Sequence, residues 1–205
     1  MRRLATAVLA GLLVFVVVCV AVQLLRDDLD WWLAPLSFYL VGDYGSWLQG
    51  AYLVLAGALA MLGAGYYAAL PAPARSAAPL LLFVLAALAL GVTAMAETDR
   101  PQRPPTFEGL VHGIAASTAF LCVTTAMLLQ SWRFRGDAQW RPRFVQAFGL
   151  AMICFVAMWV HALWREAPRG LSQKLVIAAI VAWLVLAAFW LRRASAVGPH
   201  NSSNP

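Results

Sequence analysis

The sequence predicts an all-α membrane protein, a bundle of six transmembrane helices, and three observations support this fold class. Hydrophobic residues make up 62% of the 205 residues and charged residues only 12%, whereas a soluble domain is about half apolar and a quarter charged. The apolar residues form six blocks of about 20 residues, the length that crosses a bilayer. Prolines lie in the polar breaks between blocks, where helices end. We therefore expect one membrane domain over residues 1–193 and a disordered cytoplasmic tail over residues 194–205.

The first predicted helix needs separate justification, because it begins after Arg2 and Arg3, as a signal peptide does. Its apolar run of about 22 residues is longer than the roughly 7 to 15 of a signal peptide, so we interpret it as a helix that is not cleaved. The six predicted helices are residues 4–25, 46–69, 78–96, 109–131, 145–164 and 172–191.

The distribution of Lys and Arg predicts the orientation, because cytoplasmic loops carry an excess of both residues. One side of the predicted bundle has nine of them and one acidic residue, and the other has six with eight acidic residues. The net charges are therefore +8 and −2, and we expect both termini in the cytoplasm, with the protein in the inner (plasma) membrane. The positive side holds Arg2, Arg3, Arg75, Arg133, Arg135, Arg141, Arg143, Arg192 and Arg193.

Aromatic residues agree with these boundaries, because Trp is enriched at the headgroup level of a bilayer. The loop after the first helix is unusual, since residues 31–41 are apolar but too short to cross a bilayer. We expect this segment to lie along the outer interface or to fold over the mouth of the bundle. The tryptophans at predicted outer edges are Trp31, Trp32, Trp47 and Trp164, and those at inner edges are Trp132, Trp140 and Trp190.

Few ionisable residues lie near the predicted helices, and the topology places them at the outer face. Such groups are costly at bilayer depth and usually face an interior or a cavity. The residues of this outer polar group are Glu97, Asp99, Glu108, His112 and His161. Imidazole and carboxylate groups can bind a metal ion or act as an acid/base pair. The candidate metal ligands are Asp99, His112 and His161, and the candidate catalytic residues are Asp99, His112 and Ser37.

Alternatives for these residues stay open at this point. The acids can be solvated while the histidines hydrogen-bond between helices, because no HExxH or similar ligand spacing is present. A nucleophilic serine at Ser37, Ser46 or Ser117 lacks a surrounding GxSxG motif. Ala115, Ala116 and Ala119 continue the face of Glu108 and His112 on the fourth helix, and such small residues favour close helix packing.

The first functional hypothesis is a membrane protein that binds a lipid, a small amphiphile or a membrane-protein partner at its outer mouth. The predicted ligand-binding residues are Ser37, Tyr39, Asp99, His112 and His161. The alternative is a membrane-embedded hydrolase or lipid-headgroup transferase that uses Asp99 and His112, with or without a metal. Nucleic acid is not an expected partner, because no basic cluster with interleaved aromatics is present. No motif assigns a cofactor or an oligomeric state.

Two segments, residues 28–57 and 94–121, resemble a prokaryotic membrane family catalogued as domain of unknown function 998. The resemblance extends from the first helix to Arg193, and it implies six helices without implying a reaction. On architecture alone, a more distant similarity links the chain to eukaryotic proteins of the Frag1/DRAM/Sfk1 type. The residues that carry the resemblance are Pro35, Leu36, Ser37 and Tyr39, then Thr98 and Asp99, then His112 and Gly113.

Overall fold

Six long α-helices make up most of the computed structural model, which describes residues 1–100, 104–164 and 166–194. Each helix is long and apolar enough to cross a membrane, so the predicted all-α, six-helix class is confirmed. The observed ends differ from the predicted ones by three residues or fewer. The predicted disordered tail lies outside the described residues, except Ala194. The helices are α1 (Arg2–Leu25), α2 (Gly45–Ala69), α3 (Ala77–Met95), α4 (Phe107–Arg133), α5 (Phe144–Leu163) and α6 (Arg169–Ala194).

Local signals set several of these helix ends. The Ser76 hydroxyl accepts a hydrogen bond from Ala78 N at 3.3 Å, and the Thr106 hydroxyl accepts one from Gly109 N at 2.9 Å. Each satisfies a backbone N–H that has no partner within its helix, which fixes the starts of α3 and α4. The described prolines of the breaks all lie outside the α-helices, as predicted: Pro71, Pro73, Pro104, Pro105, Pro142 and Pro168.

The six helices close into a ring. Each helix packs against its neighbours in the chain, and α6 also packs against α1 and makes a smaller contact with α2. Short connections between antiparallel neighbours produce this arrangement. The ring places the ends of α1, α3 and α5 at one end of the bundle, together with the starts of α2, α4 and α6.

Residues 26–44, which we call the strap, fold over that end of the bundle, which we call the strap end. A 3-10 helix spans Leu36–Leu40, and four of its five residues are buried. The start of α6 fastens the strap, because Gly170 N donates to Leu33 O at 3.1 Å and Leu171 N donates to Trp32 O at 2.9 Å. Of the two predicted positions for residues 31–41, the structure therefore has the one over the bundle mouth.

A buried arginine holds the other half of the strap. Arg26 donates to the Asp28 carboxylate and, through Nη1, to Val41 O at 3.1 Å and Asp43 O at 3.0 Å. The hydrogen bond from Arg26 lowers the pKa of Asp28 below its usual value, so this carboxylate remains charged at neutral pH. Arg100 also donates to Val41 O, at 3.1 Å, and ties the strap to the α3–α4 connection. Arg26 therefore holds the strap together, although nothing in the sequence distinguishes it from the other charged residues of the loops.

The opposite end of the ring is closed by an aromatic cluster of Tyr66, Phe134 and Trp140. Phe134 and Trp140 stack with ring centroids 5.3 Å apart, and the Tyr66 hydroxyl donates to Ala187 O at 2.8 Å. Trp140 is only 1% exposed, so its ring packs inside the protein at this end of the bundle and does not face lipid headgroups. Aromatic stacking inside the protein replaces headgroup contact for this residue, because its rings pair with Phe134 and Tyr66.

Candidate functional site

A cavity opens on the side of the bundle between α4 and α5, directly beneath the strap. Its volume is about 480 Å³, and we call it the mouth. On α4 its lining includes three small residues, Gly113, Ala116 and Ser117, which leave the space open. The polar residues of its lining come from five different elements: Ser37, Thr98, His112, Ser117, His161, Arg169 and Gln173.

A second, smaller cavity lies in the centre of the ring next to the mouth, shares five lining residues with it, and is called the shaft: the shared residues are Ser37, His112, Ala116, Phe120 and Gln173. Its volume is about 80 Å³, and its walls come from the strap and from every helix except α5. Gln173 and Leu184 both line it and are eleven residues apart on α6. At a helical rise of about 1.5 Å per residue, the shaft therefore runs about 16 Å along the bundle axis. That length is close to one leaflet of a hydrocarbon core about 30 Å thick.

The shaft is mainly apolar below its upper end, although Tyr52 of α2 also lines it. Phe15, Leu55, Leu59, Ile180 and Leu184 are buried residues of its wall, and Ala116 and Ala119 contribute small side chains from α4. Thr93 also lines the shaft, but its hydroxyl donates to Ala89 O at 2.8 Å within its own helix. Two residues of the expected close-packing face of α4, Ala116 and Ala119, thus border a void, whereas Ala115 is buried and lines neither cavity.

Three polar residues line both cavities and mark the junction between them: Ser37, His112 and Gln173. His112 Nδ1 lies 2.9 Å from Ala96 O. A carbonyl only accepts, so Nδ1 carries the proton, and Nε2 of the neutral ring is an acceptor. Gln173 Oε1 accepts from Leu36 N at 2.8 Å, which leaves the Gln173 amide N–H groups as donors. The junction therefore offers an acceptor, a donor and a hydroxyl that can do either.

The rim of the mouth is formed by His161 and Arg169. His161 Nδ1 lies 2.8 Å from the Ser172 hydroxyl, and Arg169 Nη1 donates to His161 O at 2.6 Å. Arg169 is exposed, and it supplies a permanent positive charge at the opening. No Asp or Glu of the described residues lines the mouth or the shaft. The rim is therefore electrostatically positive.

Asp99 lies outside these cavities. Its carboxylate accepts hydrogen bonds from Thr106 N at 3.1 Å and from the Thr106 hydroxyl at 2.8 Å. It also packs on Gly109, where an added Cβ would lie 2.1 Å from the carboxylate. Asp99 thereby holds the N-cap residue of α4, and it lines grooves on the outside of the α3–α4 connection.

Replacing Asp99 by alanine should therefore destabilise the protein without weakening ligand binding in the mouth. Loss of the two hydrogen bonds from Thr106 resembles loss of a helix cap, so we expect the free energy of unfolding to fall by about 1 kcal/mol. Thermal unfolding in detergent measures the loss of stability. Binding of a fluorescent amphiphile, compared at equal concentrations of folded protein, measures the affinity of the mouth. A loss of binding with unchanged stability would contradict the role assigned to Asp99.

The structure does not bring the predicted metal and catalytic residues together. Over residues 1–100, 104–164 and 166–194, no group of three His, Cys, Asp or Glu side chains is placed to hold a metal ion. Asp99 and His112 hydrogen-bond to different partners and line different cavities. Ser37, His112 and His161 do share the mouth. A reaction that uses Asp99 and His112 on one substrate atom is therefore not supported by this arrangement.

Tyr39 is buried in the strap but lines neither the mouth nor the shaft. Burial raises the pKa of its phenol above the usual value, so Tyr39 is neutral. Its hydroxyl has no hydrogen-bond partner among the described residues, and Lys174 Nζ lies 5.4 Å from its ring centroid. Of the five predicted ligand-binding residues, three line the mouth, and Tyr39 and Asp99 lie apart from it.

Sequence reasoning did not select Gln173 and Arg169 as site residues. Arg169 precedes the sixth predicted helix and counts only as a charge of the outer side, and Gln173 lies within that predicted helix without an assigned role. One signal points to Gln173: it shares a helical face with Ile177, Ile180 and Leu184, so its amide faces the ring interior. The only polar residue at the head of an apolar face is a candidate for a buried contact.

Five of the eight residues that carry the family resemblance are separated in sequence but meet at the mouth. Pro35, Ser37, Thr98, His112 and Gly113 all line this one cavity. No curated protein and no solved structure matched the chain in comparisons with known proteins. The model of the family described as "Protein of unknown function (DUF998)" matches residues 9–190, which include all six helices and every residue of the mouth and shaft. The chain therefore belongs to the DUF998 family.

Proposed function

We propose that this protein binds a lipid or small amphiphile, with the polar head at the mouth and the hydrocarbon chain in the shaft. One observation carries the proposal: a polar, laterally open cavity adjoins, through shared lining residues, a mainly apolar shaft about as long as one bilayer leaflet. Ligand sites in proteins are typically apolar cavities with a few convergent polar groups. A ligand with a polar head and an apolar chain matches both halves of this site.

The lateral opening supports entry from the bilayer. The mouth lies between α4 and α5, and its outer edge includes the exposed residues Leu121 and Trp159. An amphiphile can therefore move from the membrane to the junction with its chain still in an apolar environment. The strap covers the junction from the aqueous side through Ser37 and Phe38. This arrangement favours a membrane-derived ligand over a water-soluble one.

The proposal includes an orientation in which the strap end faces outward and both termini lie in the cytoplasm of a plasma membrane. The support is the charge difference between the two ends, +8 against −2, together with the preference of Lys and Arg for cytoplasmic loops. In this orientation the mouth receives its ligand from the outer leaflet. Cysteine labelling of a Ser76→Cys and a Ser46→Cys variant from outside intact cells tests it, and labelling at position 76 alone would contradict it.

The binding proposal is tested by native mass spectrometry of the protein purified in mild detergent. Wild-type protein should carry a bound lipid of defined mass, and His112→Ala should lose most of it, because Nε2 at the junction no longer accepts from the head. Thr118→Ala is the matched control, since Thr118 is on the same helix but lines an outer groove. Equal lipid occupancy in wild type, His112→Ala and Thr118→Ala would count against this site.

A further inference from the structure

We propose that the ligand is a lysophospholipid-type amphiphile, with one acyl chain, a free hydroxyl next to it and a phosphate beyond the hydroxyl. This inference rests on the proposed function, and it adds the chemical class of the ligand. Three independent features of the site define the three parts of the molecule: the width of the shaft, the hydrogen-bonding groups of the junction and the charge of the rim.

The shaft selects a single chain. It is one channel of about 80 Å³ enclosed by α1, α2, α3, α4 and α6, and two chains side by side would need far more space than this volume. Entry of one chain requires rotamer changes in wall residues such as Leu55, Leu59 and Ile180, which are side chains with several low-energy rotamers.

The junction selects a group that both donates and accepts. His112 Nε2 accepts, the Gln173 amide nitrogen donates, and the Ser37 hydroxyl can do either. A hydroxyl next to the chain satisfies the acceptor and a donor at once. A carboxylate carries no hydrogen, so in the same place it could not donate to Nε2 as a hydroxyl does. The junction therefore favours an alcohol over a fatty acid.

The rim selects a negative charge farther from the chain. Arg169 lines the mouth but not the shaft, so it lies outward of the junction. Only one of its five N–H donors is used by a described partner, His161 O. No described acidic residue of the lining competes for it. A guanidinium in this setting matches a phosphate, with which it forms strong charge-assisted hydrogen bonds.

The test measures displacement of radiolabelled 1-palmitoyl-lysophosphatidylglycerol from the purified full-length protein by four unlabelled competitors. These are the same compound, monopalmitoylglycerol, palmitate and dipalmitoylphosphatidylglycerol. We expect the lysophospholipid to bind about tenfold or more tightly than monopalmitoylglycerol, as loss of a charge-assisted hydrogen bond predicts. Palmitate and the two-chain lipid should be weaker than the lysophospholipid by a similar or larger factor.

Variants separate the two polar contacts. Arg169→Gln should weaken lysophospholipid binding about tenfold and leave the affinity for monopalmitoylglycerol unchanged, because only the lysophospholipid has a phosphate. His112→Phe and the milder Ser37→Ala should weaken both of these ligands and affect palmitate less. Arg192→Gln is the charge-matched control, since Arg192 lies beside Phe189 near the opposite end of α6.

Different outcomes overturn different claims. If palmitate or the two-chain lipid competes as well as the lysophospholipid, the assigned ligand class is wrong while amphiphile binding stands. The same holds if Arg169→Gln weakens the binding of monopalmitoylglycerol as much as the binding of the lysophospholipid. If the folded wild-type protein binds neither the radiolabelled probe nor a fluorescent amphiphile, the proposed function fails together with this inference.

Discussion

Replacing Ala119 by leucine should abolish amphiphile binding while leaving the bundle folded. Ala119 lines the shaft, and a leucine side chain there occupies the space that a ligand chain would fill. Each methylene of the ligand chain that the leucine keeps out of the shaft removes roughly 0.8 kcal/mol of binding free energy. Excluding even two methylenes therefore weakens binding by about tenfold or more. The added side chain enters a void rather than a packed core, so the thermal unfolding temperature should stay the same or rise. Native mass spectrometry and a melting curve on the same sample measure both effects.

Ala64→Leu is the matched control for this prediction. Ala64 is an exposed alanine on α2, so the same change in size there should leave ligand binding intact. Retention of bound lipid by the Ala119→Leu protein at the wild-type level would show that the ligand chain lies elsewhere, for example in the apolar groove between α5 and α6.

Replacing Gly170 by alanine should destabilise the protein, although helix propensity alone predicts the opposite. Within a helix, glycine to alanine is favourable by up to about 1 kcal/mol. At Gly170, an added Cβ would lie 2.5 Å from Ala34 O and 2.7 Å from Trp32 O, both backbone atoms of the strap. These atoms cannot move without breaking the hydrogen bonds from Gly170 N and Leu171 N to the strap. We expect a net loss of about 1 to 3 kcal/mol, the range for overpacking a close contact.

Thermal unfolding in detergent and limited proteolysis of the strap together test the Gly170 prediction. The substitution should lower the unfolding temperature and expose residues 26–44 to protease. Gly57→Ala is the control, because a Cβ at Gly57 meets no atom within 4 Å, and it should be neutral or stabilising. A stabilised Gly170→Ala protein with a protected strap would show that the strap does not pack on α6 as described.

The helices were predictable because one physical requirement dominates their sequence. A segment that crosses a bilayer must be apolar over about 20 residues, and a break must contain residues that end a helix. Pro71 and Pro73, for example, separate α2 from α3 in both the sequence and the structure. The ends of α6 were predicted less well because Arg169, Arg192 and Arg193 are charged residues inside the helix, and hydropathy excludes them.

The cavities were not predictable, because sequence does not distinguish a small residue in a close contact from one beside a void. Ala116 and Ala119 are compatible with a close helix contact and with a void, and they border the shaft because of how all six helices pack. Asp99 is a similar case. Its proximity in sequence to His112 suggested a shared site, yet the turn before α4 directs its carboxylate to Thr106. The burial of Trp140 was not predictable either, because it depends on stacking with Phe134, which the α4–α5 connection places beside it.

The central claim is that the chain of a bound amphiphile occupies the shaft, and photo-crosslinking tests it most directly. A monoacyl amphiphile with a diazirine at the end of its chain would be bound to the protein in bilayer nanodiscs, illuminated, and mapped by peptide mass spectrometry. The account predicts adducts on deep shaft residues such as Leu59 or Leu184, which are lost in Ala119→Leu. Adducts confined to exposed, membrane-facing residues such as Leu53 or Leu88, and unchanged in Ala119→Leu, would contradict it.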